Sequence, residues 1–274
     1  MLTLFYPPHA ALVEYVESIC IISHDFSVSD EISPFYTYMP TYTRFLCFHL
    51  ADRIKVKKKE GEFELKERSL IIGPQITPVT LDLGKKHSLL VVILKPGALY
   101  RILGIPQQEI VECDFDANLI LGKEVSEILE QLINAENGEL QNKIIQKYLL
   151  GKLQKLKALQ PIDLAMQQLV MAKGKLGMDY LAKKSCISLR QFERQSLNRI
   201  GVSPKYFARM IRFSQAYKMK ELFPTTSWLE IAYQFGYYDQ MHLIKEFHHF
   251  TGFNPSHINS EEIDKSVKFN SVPT

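Results

Sequence analysis

The sequence predicts a two-domain α+β protein, with a small β-barrel and accompanying helices in the first half and an all-helical second half. Three observations predict it. Between residues 25 and 95, short β-branched and aromatic segments alternate with Gly and Pro, the rhythm of a barrel or sandwich. After Pro161, apolar residues recur at helical spacing and strand-like alternation disappears. Charge divides near the same place: residues 1–151 hold 15 Lys/Arg and 20 Asp/Glu, whereas residues 152–274 hold 18 and 10. The basic half is the one suited to a polyanionic partner.

A chain of 274 residues suffices for two ordinary domains. No apolar run approaches the ~20 residues of a membrane span, and the first residues lack the basic and apolar regions of a signal peptide. Cys20, Cys47, Cys113 and Cys186 are scattered, without the close spacing of a zinc site or disulfide framework. These features predict a cytoplasmic protein whose cysteines act as small buried hydrophobes.

Taken in order, residues 9–22 carry apolar side chains at helical spacing (Leu12, Val13, Val16, Ile19, Cys20) and read as a helix. Strands follow at residues 44–50, 63–65, 69–72, 79–83 and 88–94. Helical periodicity returns in residues 125–133 and 140–159, and Pro161 marks a boundary. The divisions expected are residues 1–158, residues 159–260 and a polar tail at 261–274.

The second half contains one pattern twice. A short amphipathic helix over residues 178–186 precedes Ser188, an N-cap candidate, and a second helix that runs to Gly201. A short helix over residues 227–236 likewise precedes Asp239 and a helix that ends at Gly252. Each unit has a Pro three residues beyond its terminal Gly, at Pro204 and Pro255. Two short helices with a tight turn form a helix-turn-helix. Residues 204–223 lie between the units as one long helix of roughly 28 Å. It could hold two reading heads on successive major grooves, which lie ~34 Å apart on one face of a duplex.

The residues Ile231-Ala-Tyr-Gln-Phe-Gly236, Asp239-Gln240, His242, Phe247, Gly252 and Pro255 resemble the second-unit signature of the AraC/XylS regulators, over about residues 162–258. Leu243 and His248 depart from that signature. In the first unit Ser196 stands where the family usually has a bulky apolar residue. That substitution predicts a thinner core, which a small rotation of Leu197 could fill. The resemblance implies two helix-turn-helix units joined by a linker helix, with double-stranded DNA as partner. It further implies transcription regulation, with RNA polymerase and a second copy of the chain as partners, and involves no membrane.

The resemblance also guides the choice of reading residues. Arg190, Glu193 and Arg194 in the first unit, and Gln240, Met241, His242 and Lys245 in the second, are placed against base edges. Arg suits guanine, Gln adenine, Glu the cytosine amino group, and Met a thymine methyl. Arg199, Lys205 and Arg209 are placed on phosphate. Asp239 reads as a cap rather than a base reader. His242, His248 and His249 read as a phosphate- or water-facing cluster rather than a metal site.

In the first half, Leu94-Lys-Pro-Gly-Ala-Leu-Tyr100, Ile72-Gly-Pro-Gln75 and Pro40-Thr-Tyr-Thr-Arg44 resemble the cupin-like sensor domains that precede such DNA-binding domains. This implies a small-molecule effector, dimerisation, or both. Tyr38, Tyr42 and Phe45 are the candidate pocket lining, although aromatics at such spacing also suit a plain core. His49 and His87 read as isolated histidines, with no His-x-His pair. No catalytic residue, cofactor or metal is expected. The rival reading, a cupin-type metal-dependent enzyme with a helical appendage, needs a ligand cluster that the first half lacks. A repair methyltransferase would need a reactive cysteine motif that is likewise missing.

Overall fold

The structure is a computed structural model that describes residues 2–28, 32–59 and 61–255. The tail expected at 261–274 lies outside the described residues. Strand β1 is Leu2–Tyr6, β2 Val16–Asp25, β3 Phe35–Tyr38, β4 Arg44–His49 and β5 Lys55–Lys57. Then come β6 (Glu64–Leu65), β7 (Ser69–Ile72), β8 (Val79–Asp82) and β9 (Lys86–Leu94). Helix α1 is Ala98–Leu103. Strand β10 (Asp114–Asp116) precedes α2 (Ala117–Leu121), α3 (Glu124–Asn134) and α4 (Gly138–Lys152).

Two antiparallel sheets, ordered β1-β2-β9-β4-β7-β10 and β3-β8-β5-β6, face one another. The larger sheet is buried on both faces. Alternate residues Cys20, Ile22, Cys47, Leu89, Val91 and Ile93 point between the sheets. Their neighbours Ile19, Ile21, Leu46, Phe48, Leu90 and Val92 pack outward under α1 to α4.

This two-sided burial explains the main correction to the sequence reading. Residues 9–22 are not a helix: a single 3₁₀ turn at Ala10–Leu12 leads into β2. A strand covered on both faces reads as a continuous apolar run, which periodicity cannot separate from a buried helix. The partner strands β1 and β9 decide the matter.

The helical half begins at α5 (Pro161–Met171), which Pro161 opens from the first turn rather than merely ending what came before. It continues with α6 (Met178–Lys184), α7 (Leu189–Ile200), α8 (Pro204–Leu222), α9 (Trp228–Gln234) and α10 (Gln240–Thr251). Helix α8 is shared. Phe207, Met210 and Ile211 belong to the core with α5 to α7, Phe213 of the same core packs on Phe247 and Phe250 of α10, and Ala216 packs with Ile231, Ala232, Phe235 and Leu243 of α9 and α10. A two-domain α+β fold with two helix pairs on one central helix is what the sequence predicted.

Candidate nucleic-acid interface and barrel cavity

The two helix pairs are built by the same local chemistry. Ser188 Oγ accepts from Gln191 N, and the Gln191 side chain returns a bond to Ser188 N, a capping box that starts α7. Asp239 caps α10 by accepting from His242 N at 2.7 Å. The turns also match. Ile187 N donates to Ala182 O in the first unit, and Tyr237 N to Ala232 O in the second. The turn residue is left-handed in both, but it is Gly236 (φ 76) in the second unit and Cys186 (φ 56) in the first. Cys186 is also exposed, unlike the buried Cys20 and Cys47.

Of the residues placed against bases, Arg190, Glu193 and Arg194 are exposed on α7, and Gln240, Met241 and Lys245 on α10. His242 is half-buried. Its Nδ1 accepts from Tyr238 N, and its ring meets Tyr237 edge-on. Of the phosphate candidates, Lys205 is exposed. Arg209 donates to Glu246 at 3.0 Å and lies over Tyr206 and Phe250, in the joint between α8 and α10.

Arg199 is a correction. It is buried, donates to both carboxylate oxygens of Asp163, and lies 4.6 Å over the Tyr100 ring of the first domain. A basic side chain in the last helical turn reads as phosphate-facing until its buried acid, far off in sequence, is seen. Ser196 is also other than expected. It is fully buried, with its hydroxyl donating to Val202 O at 2.8 Å, while Leu197 stays exposed and fills nothing. The position has exchanged apolar packing for a bond that holds the end of α7.

That end of α7 sits against the barrel domain. Arg44, buried at the start of β4, donates to Ile200 O at 3.2 Å and to Thr41 O and Thr43 O. The last carbonyls of a helix carry partial negative charge that a guanidinium complements. Gly201 follows with φ 92, so close to the barrel that a Cβ there would stand 2.6 Å from Pro74. Helix α8 is anchored too: Thr41 Oγ1 lies 3.3 Å from Ser214 Oγ, Tyr42 meets Phe207 edge-on, and Tyr36 donates to buried Glu221. The sequence reading missed Arg44 and Glu221, because their partners lie in the other domain, and Asp163, because its partner lies 36 residues away on another helix.

Between the sheets is an apolar cavity of about 140 Å³. The expected Tyr38, Tyr42 and Phe45 all line it. Ser214, Gln215 and Lys218 of α8 complete its wall at one end, so the second domain helps enclose a space inside the first. Burial lowers the pKa of Lys218, against the opposing pull of Glu221. His49 and His87, expected as isolated residues, stand 6.1 Å apart at ring centres, both buried and both lining the cavity.

Two capped helices with exposed polar faces, spaced along one shared helix, form a pair of helix-turn-helix units. Residues 181–260 match a helix-turn-helix domain family, and residues 4–116 match a domain of unknown function (DUF6597). Residues 181–260 thus carry a helix-turn-helix domain, the DNA-binding part of a transcription regulator. No curated protein matches it in sequence. Among solved structures, it is similar to unsaturated-fatty-acid-bound wild-type ToxT from Vibrio cholerae, at 13% identity and a TM-score of 0.49 over 88% of this chain and 95% of that one. ToxT bound to (E)-4-(8-methylnaphthalen-1-yl)but-3-enoic acid gives 14% identity and 0.46, over 89% and 97%. The AraC-like transcriptional activator CuxR gives 12% identity and 0.22, over 90% and 74%. Among the described residues no helix is long and apolar enough to cross a membrane.

Proposed function

We propose that α7 and α10 enter successive major grooves of one duplex, and that a small apolar effector in the barrel cavity biases the helix that carries both. In this reading Arg190, Glu193 and Arg194 meet bases from α7, and Gln240, Met241, His242 and Lys245 from α10. Lys205 meets phosphate. Arg199 and Arg209 hold the scaffold instead, since each is engaged by an acid. The protein acts as a non-enzymatic regulator in the cytoplasm, with RNA polymerase and a second copy of the chain as further partners.

One observation carries the effector reading: α8 supplies Ser214, Gln215 and Lys218 to the cavity wall while its two ends carry the two reading units. A ligand that fills the cavity therefore touches the element that sets their spacing. A ligand shifts an equilibrium only by its differential contact with the two states, and contact with α8 supplies that difference. Arg44 extends the link, because Thr41 and Thr43 line the cavity while Arg44 holds the end of α7.

Selection of the full chain on random duplexes tests the DNA part. The expected product is two short conserved elements about 10 base pairs apart. A thermal-shift screen with small apolar compounds, followed by DNA titration with each hit, tests the effector part. Hits that stabilise the chain and leave DNA affinity unchanged would overturn it.

A further inference from the structure

The cavity has an orientation, and its two ends differ chemically. On β4 the residues that line it are Phe45, Cys47 and His49; on β9 they are His87, Leu89, Val91 and Ile93. The strands pair with Phe45 opposite Ile93 and His49 opposite Leu89. Alternation puts each set on one face. From Phe45, near α8, to His49 is four residues, or about 14 Å of strand. Everything between them is apolar or thiol. The end away from α8 is where the imidazoles stand.

His49 is 3% exposed, and neither Nδ1 nor Nε2 has a hydrogen-bond partner among the described residues. A neutral imidazole has one donor and one acceptor nitrogen. Leaving both unmet in an apolar wall is costly. Strand β4 needs only an apolar side chain there, as it has at Phe45 and Cys47, so a packing role does not account for a histidine. His87 faces the same space from the adjacent strand, which makes this end the polar one.

We infer that His49 is the ligand-selecting residue of the cavity, and that it hydrogen-bonds the hydroxyl of a small, neutral, ring-sized ligand such as a phenol. The inference rests on the effector reading above and adds the class of compound and its orientation. Size supports the ring, since an aliphatic cavity of about 150 Å³ takes up benzene. The neutrality of the polar group follows from the surroundings: among the described residues no Lys or Arg lines the far end, and Arg68 behind His49 turns its guanidinium to the carbonyls of His49 and Ala51, so a bare carboxylate in the cavity would lose its hydration without an ion-pair partner there. A hydroxyl donates to the unprotonated nitrogen of His49, and its ring lies along Cys47, Leu89 and Val91.

The test uses the full chain at neutral pH with phenol and toluene, which match in shape and differ in the hydroxyl. Phenol is expected to bind at least tenfold more tightly by calorimetry, the worth of about one good hydrogen bond. His49→Leu is expected to erase that preference and keep toluene binding. Should the variant not fold, the wild-type chain still decides, because the ¹⁵N resonances of one imidazole are expected to move with phenol and not with toluene. Equal binding of the two ligands overturns the His49 subsite and leaves the cavity reading standing. Binding of neither overturns both.

Discussion

Arg199 Nε lies 2.6 Å from Asp163 Oδ1, in a contact that joins the end of α7 to the start of α5 and is covered by Tyr100 of the barrel domain. Asp163 also accepts from Gln160 N, so one carboxylate starts a helix and holds another. Truncating one partner of a buried pair strands the other charge. Arg199→Met is expected to cost about 3–5 kcal/mol, read from urea unfolding. Asp163→Asn with Arg199→Met should recover much of that loss. The salt dependence of DNA binding by folded Arg199→Met should match wild type, because Arg199 touches no phosphate in the proposed complex.

The reading helices separate two kinds of contact. Arg194→Ala and Gln240→Ala are each expected to relax preference at one base position, with a cost of about 1–3 kcal/mol on the best duplex. Lys205→Ala should weaken all duplexes alike and reduce the slope of log affinity against log salt by about 1. Selection from random DNA measures the first effect, and salt titration the second. If Arg194→Ala weakens every sequence equally, Arg194 belongs with Lys205 on phosphate.

What was legible in the sequence follows from how local each signal is. Ser188, Asp239, Gly201 and Gly252 act within one turn of their own helices, so caps and stops could be read directly. The strands at residues 69–72 and 88–94 were visible through β-branched runs between turn residues. Strand β2 was not, because its two-sided burial destroys alternation. The tie between Arg199 and Asp163 and the hold of Arg44 on Ile200 span 36 and 156 residues, and no window of sequence contains both partners. Tyr38, Tyr42 and Phe45 could be nominated as a lining by residue type. His49 and His87 could not be joined, because only the pairing of β4 with β9 brings them together.

The matched turns give a stability prediction. Cys186 holds the left-handed conformation that Gly236 holds in the second unit. A side chain there costs about 1–2 kcal/mol, and the added freedom of glycine in the unfolded chain returns part of it. Cys186→Gly is therefore expected to stabilise the protein by about 0.5–1 kcal/mol, read as a higher urea midpoint at constant slope. Cys186 is exposed, and its thiol is free of any disulfide among the described residues. Gly236→Ala, the reverse experiment, should destabilise the second unit and lower DNA affinity along with it.

The buried histidines give the stability of the barrel a direction in pH. Burial holds the pKa of His49 down at about 3, with His87 and Arg68 adding to the effect, and that of His87 at about 4. In the unfolded chain both titrate near 6.5. Below that value the unfolded chain takes up protons that the folded one refuses, so stability falls as pH drops from about 6.5 towards 4. Each histidine contributes up to about 1.4 kcal/mol per pH unit in that window, and nothing above pH 7.5. Urea midpoints at pH 7.5 and pH 5 should therefore differ, and His49→Leu should narrow the gap. A wild-type midpoint unchanged between those two values would mean that the His49 and His87 rings take up protons while the barrel stays folded.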